Sequence, residues 1–235
     1  MMEMTQASPL RDERSATSAI RERLYVMFNA VDEQLAESLN AVLSSDEKVA
    51  ERVGRRDDFI DDLEMEIDGM CEAVIATRPT DRETIRFVMT AIKINTDLER
   101  MGDHCRNLAR AGAEQPRLIS HLPGDHFDRM VDAVRGMLYS AQDAFTRGDR
   151  KRAWELISNE SAVNRLHRRT LDLLMERQER TDRAFTLGAR IFALSKSLER
   201  IADHCVNIAE SVLFWLEGID VRHGGRHRND IVTNQ

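Results

Sequence analysis

The chain is poor in what a β-rich or membrane-spanning protein needs. Aromatic residues make up 5% of its 235 positions, and there are only 4 prolines and 11 glycines. That is too few turn-formers and flat side chains for many short strands joined by tight turns. No run approaches the roughly eighteen consecutive apolar residues of a transmembrane helix. The stretch from Met1 to Thr17 is polar and lacks the apolar core of a secretion signal. Cys71, Cys105 and Cys205 are odd in number and have no C-x-x-C spacing, which argues against a disulfide framework or a zinc knuckle. They read as reduced thiols of a cytoplasmic protein. A formal charge of -7 leaves no broad basic surface for nucleic acid, with only Arg222 to Arg228 locally basic.

What is present is helical periodicity. Apolar residues at Ile20, Leu24, Met27, Phe28, Val31, Leu35, Leu39 and Val42 follow a three-and-four spacing, the mark of one buried helical stripe. A second helix is expected after the capping residues Ser45 and Asp46, ending near Thr77 before Pro79. Thr80 or Asp81 would cap a third. The pattern restarts with a fourth helix over about 127–146, closed by Gly148. A fifth runs over about 150–180, and a sixth begins near Thr181 or Asp182.

The third and sixth helices match at an offset of 100 residues. Leu98-Glu99-Arg100 and Asp103-His104-Cys105 recur as Leu198-Glu199-Arg200 and Asp203-His204-Cys205, and eight of the twenty residues from Ala91 are identical to those from Ile191. The chain therefore reads as all-α, a tandem duplication of a three-helix bundle with six helices in all. Its expected organisation is a flexible N-terminus over 1–17, bundles over 18–113 and 121–217, and a tail over 218–235. A lone three-helix unit has a modest core, so the two copies should pack as one body.

Within the repeat, Glu99 and Asp103 stand one helical turn apart on one face, as do Glu199 and Asp203. The second helix adds Asp57, Asp61, Glu64 and Asp68 at spacings of four, three and four. Like charges stacked this way repel by a few tenths of a kcal/mol per pair, roughly, unless neutralised. A hard, oxygen-preferring cation across the second and third helices would neutralise them. A solvated or ion-paired surface is the competing reading. Arg100 and Arg200 are expected to point elsewhere, leaving a cation or another helix's basic group as the counter-charge. In the second half, aligning Leu166 with Leu63 sets Glu160 opposite Asp57 and Asn164 opposite Asp61, one carboxylate fewer. His104 and His204 are rotated away from the acids, and Cys105 and Cys205 fall on the core stripe.

A ferritin-like di-metal oxidase also uses helical acids, but it needs Glu-x-x-His, which occurs nowhere in this chain. G-x-S-x-G and G-x-x-x-x-G-K-[ST] are absent too. A metal-free helical adaptor, binding basic patches on partners, is the main alternative to a cation-binding protein.

The two motifs, Leu98 to Leu108 and Leu198 to Ile208 with Asn107 and Asn207, resemble the paired L-E-R-I-G-D helices of the PhoU family, cytoplasmic accessory proteins of bacterial phosphate uptake. The linker Arg78-Pro79-Thr80 and the segment Gly218 to His223 are similar as well. The family's E(D)xxxD elements fall on Glu99/Asp103 and Glu199/Asp203, and its preceding acidic pair on Asp57/Asp61 and, with one departure, Glu160/Asn164. The resemblance implies a metal ion (Mg, Mn, Fe or Zn) at Asp57, Asp61, Glu99, Asp103, Glu160, Glu199 and Asp203. It also implies homodimers and a regulatory role without catalysis. Partners implied are the ATPase subunit of the phosphate ABC transporter and the phosphate sensor histidine kinase, with no insertion into the membrane. Such proteins restrain phosphate uptake and the phosphate-starvation response.

Overall fold

A computed structural model of the chain describes residues 9–44, 47–76, 81–114, 118–122, 125–159, 161–176 and 181–221. Helices α1 (Pro9–Ser44), α2 (Glu47–Ala76) and α3 (Arg82–Glu114) form the first half. A short 3-10 turn, Leu118–His121, leads to the second, built from α4 (His126–Arg147), α5 (Arg150–Asn159), α6 (Ser161–Met175) and α7 (Asp182–Glu217). Segments α5 and α6 flank residue 160, which lies outside the described residues, and together they stand where α2 stands in the first half. The all-α duplicated architecture is therefore as expected, and among the described residues there is no strand.

The helix ends follow local chemistry. At the head of α3, Asp81 accepts from the Thr84 amide at 2.8 Å, and at the head of α7 the Thr181 hydroxyl accepts from the Ala184 amide at 3.2 Å. Both satisfy donors that a helix start leaves open. Gly148 and Gly218 close α4 and α7 at φ of 61° and 67°, a left-handed turn that favours glycine. The expected caps Ser45, Asp46 and Thr80 lie outside the described residues.

Three boundaries differ from expectation. Residues 9–17, expected in the flexible N-terminus, are the first turns of α1, with Ala16 packed against the core. The helix expected to reach Arg180 ends at Met175, because no apolar side chain follows Leu174 and Met175 to hold another turn. Residues 218–221, expected to open the tail, are described, and Val221 among them packs on the core.

One contiguous core spans both halves. The pairs Leu24/Phe127, Met27/Met130, Val31/Val134 and Leu35/Leu138 are all buried, so α1 and α4 are equivalent at an offset of 103, the offset that also relates α2 to α5 and α6. Between the halves α3 and α7 run antiparallel. Thr90 donates to the Ser211 carbonyl at 3.2 Å, Phe87 meets Trp215 edge-on at 5.5 Å, and the rings of His104 and His204 lie 5.7 Å apart. Antiparallel equivalent helices are related by a two-fold axis perpendicular to their plane, here near Met101 and Ile201. The two acidic-motif faces are thereby carried on the same side of the molecule.

Candidate functional site

The two halves place their acidic motifs alike and surround them differently. In the first, Asp57 does not join an exposed face: it is 3% exposed. Gln34 of α1 donates to its Oδ1 at 3.0 Å, and Arg106 of α3 donates to its Oδ2. A second nitrogen of Arg106 donates to Asp103. The counter-charge expected from a cation or another helix thus comes, for these two acids, from the third helix itself, one turn beyond the motif. Gly102 makes room for the group, since a Cβ there would stand 3.1 Å from Gln34 Oε1 and 3.4 Å from Asp57 Oδ1.

The remaining acids have no such relief. Asp61, Glu64 and Glu99 make no ion pair among the described residues. Burial, then repulsion from Asp103, Glu64 and Asp61, pushes the Glu99 carboxyl above its ordinary pKa, and Arg100 offsets this only in part. Glu64 is raised by burial and by Asp68 and Asp61. Asp57 is raised by burial, against the pull of Gln34 and Arg106. Asp68 accepts from Asn95 at 3.0 Å. Two buried amide oxygens beside these acids, Gln34 Oε1 and Asn95 Oδ1, have no donor among the described residues. Unrelieved carboxylates together with donorless oxygens suit a hard cation. Among the described residues no three side chains converge as a ready-made metal cluster.

In the second half the two motif acids, Glu199 and Asp203, each have a basic partner. Lys196, where the first half has Thr96, donates to Glu199 at 2.5 Å. Arg200, expected to point elsewhere, pairs with Asp203 at 3.5 Å. Asn164 replaces Asp61 and His167 replaces Glu64, with His167 Nδ1 2.8 Å from the Ser195 hydroxyl. Met137, Val206 and Ala202 stand where Gln34, Arg106 and Gly102 stand, so the three residues around Asp57 are not repeated in the sequence. Glu160 lies outside the described residues. Glu199 and Asp203 thus have same-helix counter-charges that Glu99 lacks.

Periodicity alone did not reveal Gln34, Arg106 or Asp97. Gln34 interrupts the apolar stripe of α1, the one signal that could have found it. Asp97 bridges the halves, accepting from Asn207 at 3.2 Å and lying 2.8 Å from His204 Nδ1. His204 is thus tied to the interface between halves, away from the acidic face. Cys105 and Cys205 are buried, and burial raises both thiols.

Fold and site define an all-helical, internally duplicated bundle with one acidic motif on each half. The family model for the PhoU domain matches twice, over residues 24–112 and 127–212. The chain belongs to the PhoU family. It is 31% identical to the phosphate-specific transport system accessory protein PhoU homolog of Pseudomonas aeruginosa, covering 92% of this chain and 90% of the relative. It is 28% identical to the phosphate-specific transport system accessory protein PhoU of Escherichia coli K12, covering 88% and 86%. The crystal structure of PhoU from Pseudomonas aeruginosa superposes with a TM-score of 0.76 at 29% identity, over 87% of this chain and 99% of that one. No helix among the described residues is long and apolar enough to cross a membrane.

Proposed function

We propose that this protein is a cytoplasmic negative regulator of phosphate uptake and of the phosphate-starvation response. It acts through contacts with the ATPase subunit of the phosphate transporter and with the phosphate sensor kinase, and not by catalysis. The observation that carries this reading is the match of both halves, over nearly the whole chain, to relatives named as accessory proteins of phosphate-specific transport. Deleting the gene in its host is expected to raise a secreted-phosphatase reporter of phosphate starvation in phosphate-rich medium. An unchanged reporter contradicts the role.

A cation belongs to this reading in the first half only. Asp61, Glu64, Glu99 and Asp103 would hold it, and Mg, Mn, Fe or Zn would supply the positive charge that Arg106 gives Asp57 and Asp103 alone. The raised pKa values of Glu64 and Glu99 and the donorless Gln34 and Asn95 oxygens support this placement. Elemental analysis of protein purified without chelator tests it, with about one metal ion per chain expected and none contradicting it. A second reading, a metal-free adaptor, is favoured by Arg106 itself, an internal cation already bridging two of the acids.

A further inference from the structure

Helices α3 and α7 lead into their acidic motifs with the same kind of exposed stripe. On α3, Ile85, Met89 and Ile92 are exposed and fall on the face of Glu99 and Asp103, since positions 85, 92 and 99 recur every seven residues. On α7, Phe185, Ala189 and Phe192 repeat them ahead of Glu199 and Asp203, and Phe185 is 80% exposed. Because α3 and α7 are antiparallel equivalents, both stripes lie on one side of the molecule. Exposed apolar stripes brought together in this way mark an interaction surface.

What flanks the two stripes is opposite in character. Beside the α3 stripe, α2 presents Asp61, Glu64, Asp68 and Glu72. The bond from Asn95 to Asp68 and the repulsion of Glu99 by Glu64 and Asp61 fix this edge of α2 against that face. At the matching positions of α6 stand Asn164, His167, Leu171 and Met175, and Met65 becomes Arg168. Leu171 is exposed, Met175 is 79% exposed, and the His167 ring lies 5.3 Å from that of Phe192, joining the α6 edge to the α7 stripe. Arg168 makes no ion pair among the described residues. One half therefore shows an apolar stripe edged with carboxylates, and the other an apolar stripe edged with further apolar side chains and a guanidinium.

We infer that this face is where two copies of the chain meet, the first half of each against the second half of the other. Pairing like halves would set the four carboxylates of α2 against four more, which repel. Pairing unlike halves sets Arg168 against those acids and lays Phe185, Phe192 and Met175 over Ile85, Met89 and Ile92. A two-fold axis lying in the plane of the face, perpendicular to the line joining the stripes, makes both contacts at once and closes the dimer, because the stripes share one side. An anionic bilayer is the poorer occupant, since a face with four carboxylates and one unpaired arginine lacks the basic cluster such lipids attract. The resemblance implies homodimers and names no face. The surface and its pairing come from these side chains and do not depend on the regulatory role.

The test uses the full chain. Sedimentation equilibrium should show a dimer, and Phe185→Glu, a change at an exposed position, should raise its dissociation constant about tenfold or more. Arg168→Glu, on the other flanking helix, should weaken it as well. The pairing is read with a short bis-maleimide crosslinker, because Cys71, Cys105 and Cys205 are buried and only an added cysteine reacts. An equimolar mixture of Met89→Cys and Met175→Cys chains should give crosslinked dimer, and neither chain should do so alone. Crosslinking of either chain with itself, the mark of like-half pairing, overturns the proposal. So does a monomeric wild type, whether or not it cosediments with phosphatidylglycerol vesicles, an assembly larger than a dimer, or a dimer that both Phe185→Glu and Arg168→Glu leave unchanged.

Discussion

Arg106 on α3 donates a hydrogen bond to Asp57 on α2, giving a buried carboxylate its positive partner, and Val206 stands at the same position of the second half. An ionised group out of water is tolerable only with such a partner. Arg106 is itself half exposed, so removing it lets water relieve part of the loss. Arg106→Ala should cost about 2 kcal/mol, measured by urea denaturation, and Asp57→Asn in the same chain should recover most of that. Additive losses in the double variant would show that the two residues are not coupled.

The acidic face predicts an unusual pH dependence. Burial and mutual repulsion raise Asp57, Glu64 and Glu99, so the folded state holds these protons more tightly than the unfolded chain does. Their contribution to stability is complete below the unfolded pKa values and is lost as pH rises through the folded ones. In metal-free protein, Glu99→Gln should therefore gain stability relative to wild type as pH rises from about 4 to about 7. Millimolar magnesium or manganese should narrow that gap. A gap independent of pH would contradict the placement of Glu99.

His104 acts in the opposite sense. Burial, then His204, lowers the pKa of His104 at the seam between the halves. A lowered histidine supports the fold above its unfolded pKa and withdraws that support as pH falls through the folded one. Thermal melts of His104→Leu should show a shallower loss of stability between about pH 7 and about pH 5 than wild type. An unchanged slope would place the acid sensitivity elsewhere.

Most of the fold was legible in the sequence because burial follows a three-and-four period. The stripes through Val31, Leu98 and Leu198 are core as expected, and the repeat at an offset of 100 marked the seam. The site was legible only by residue type. Spacing set Glu99 beside Asp103 and Glu199 beside Asp203, but which acid is relieved depends on neighbours from other helices. Gln34 reaches Asp57 from α1, and Arg106 reaches it from α3 by side-chain length that periodicity does not measure. Lys196 and Arg200, by contrast, sit on the same helix as the acids they pair with, three residues away. Salt bridges at that spacing could have been proposed from the sequence.

Gly112 tests the close approach of α1 and α3. A Cβ there would lie 2.5 Å from the Val42 Cα, a backbone atom that cannot swing aside. Gly112→Ala should destabilise the protein by about 2 kcal/mol despite alanine's better helix propensity. Gly54→Ala, where a Cβ meets nothing within 4 Å, should stabilise it by about 0.5 kcal/mol or more. Similar effects at the two sites in thermal melts would contradict this packing.

The duplicated motifs have divided: Glu99 makes no ion pair among the described residues, whereas Glu199 and Asp203 are paired with Lys196 and Arg200. The most direct measurement complements a deletion strain with Glu99→Gln/Asp103→Asn or with Glu199→Gln/Asp203→Asn and reads the starvation reporter in phosphate-rich medium. The first-half variant should leave the reporter raised at equal protein level, and the second-half variant should restore repression. Equal repression by both variants, or failure of the second-half variant alone, would contradict the account.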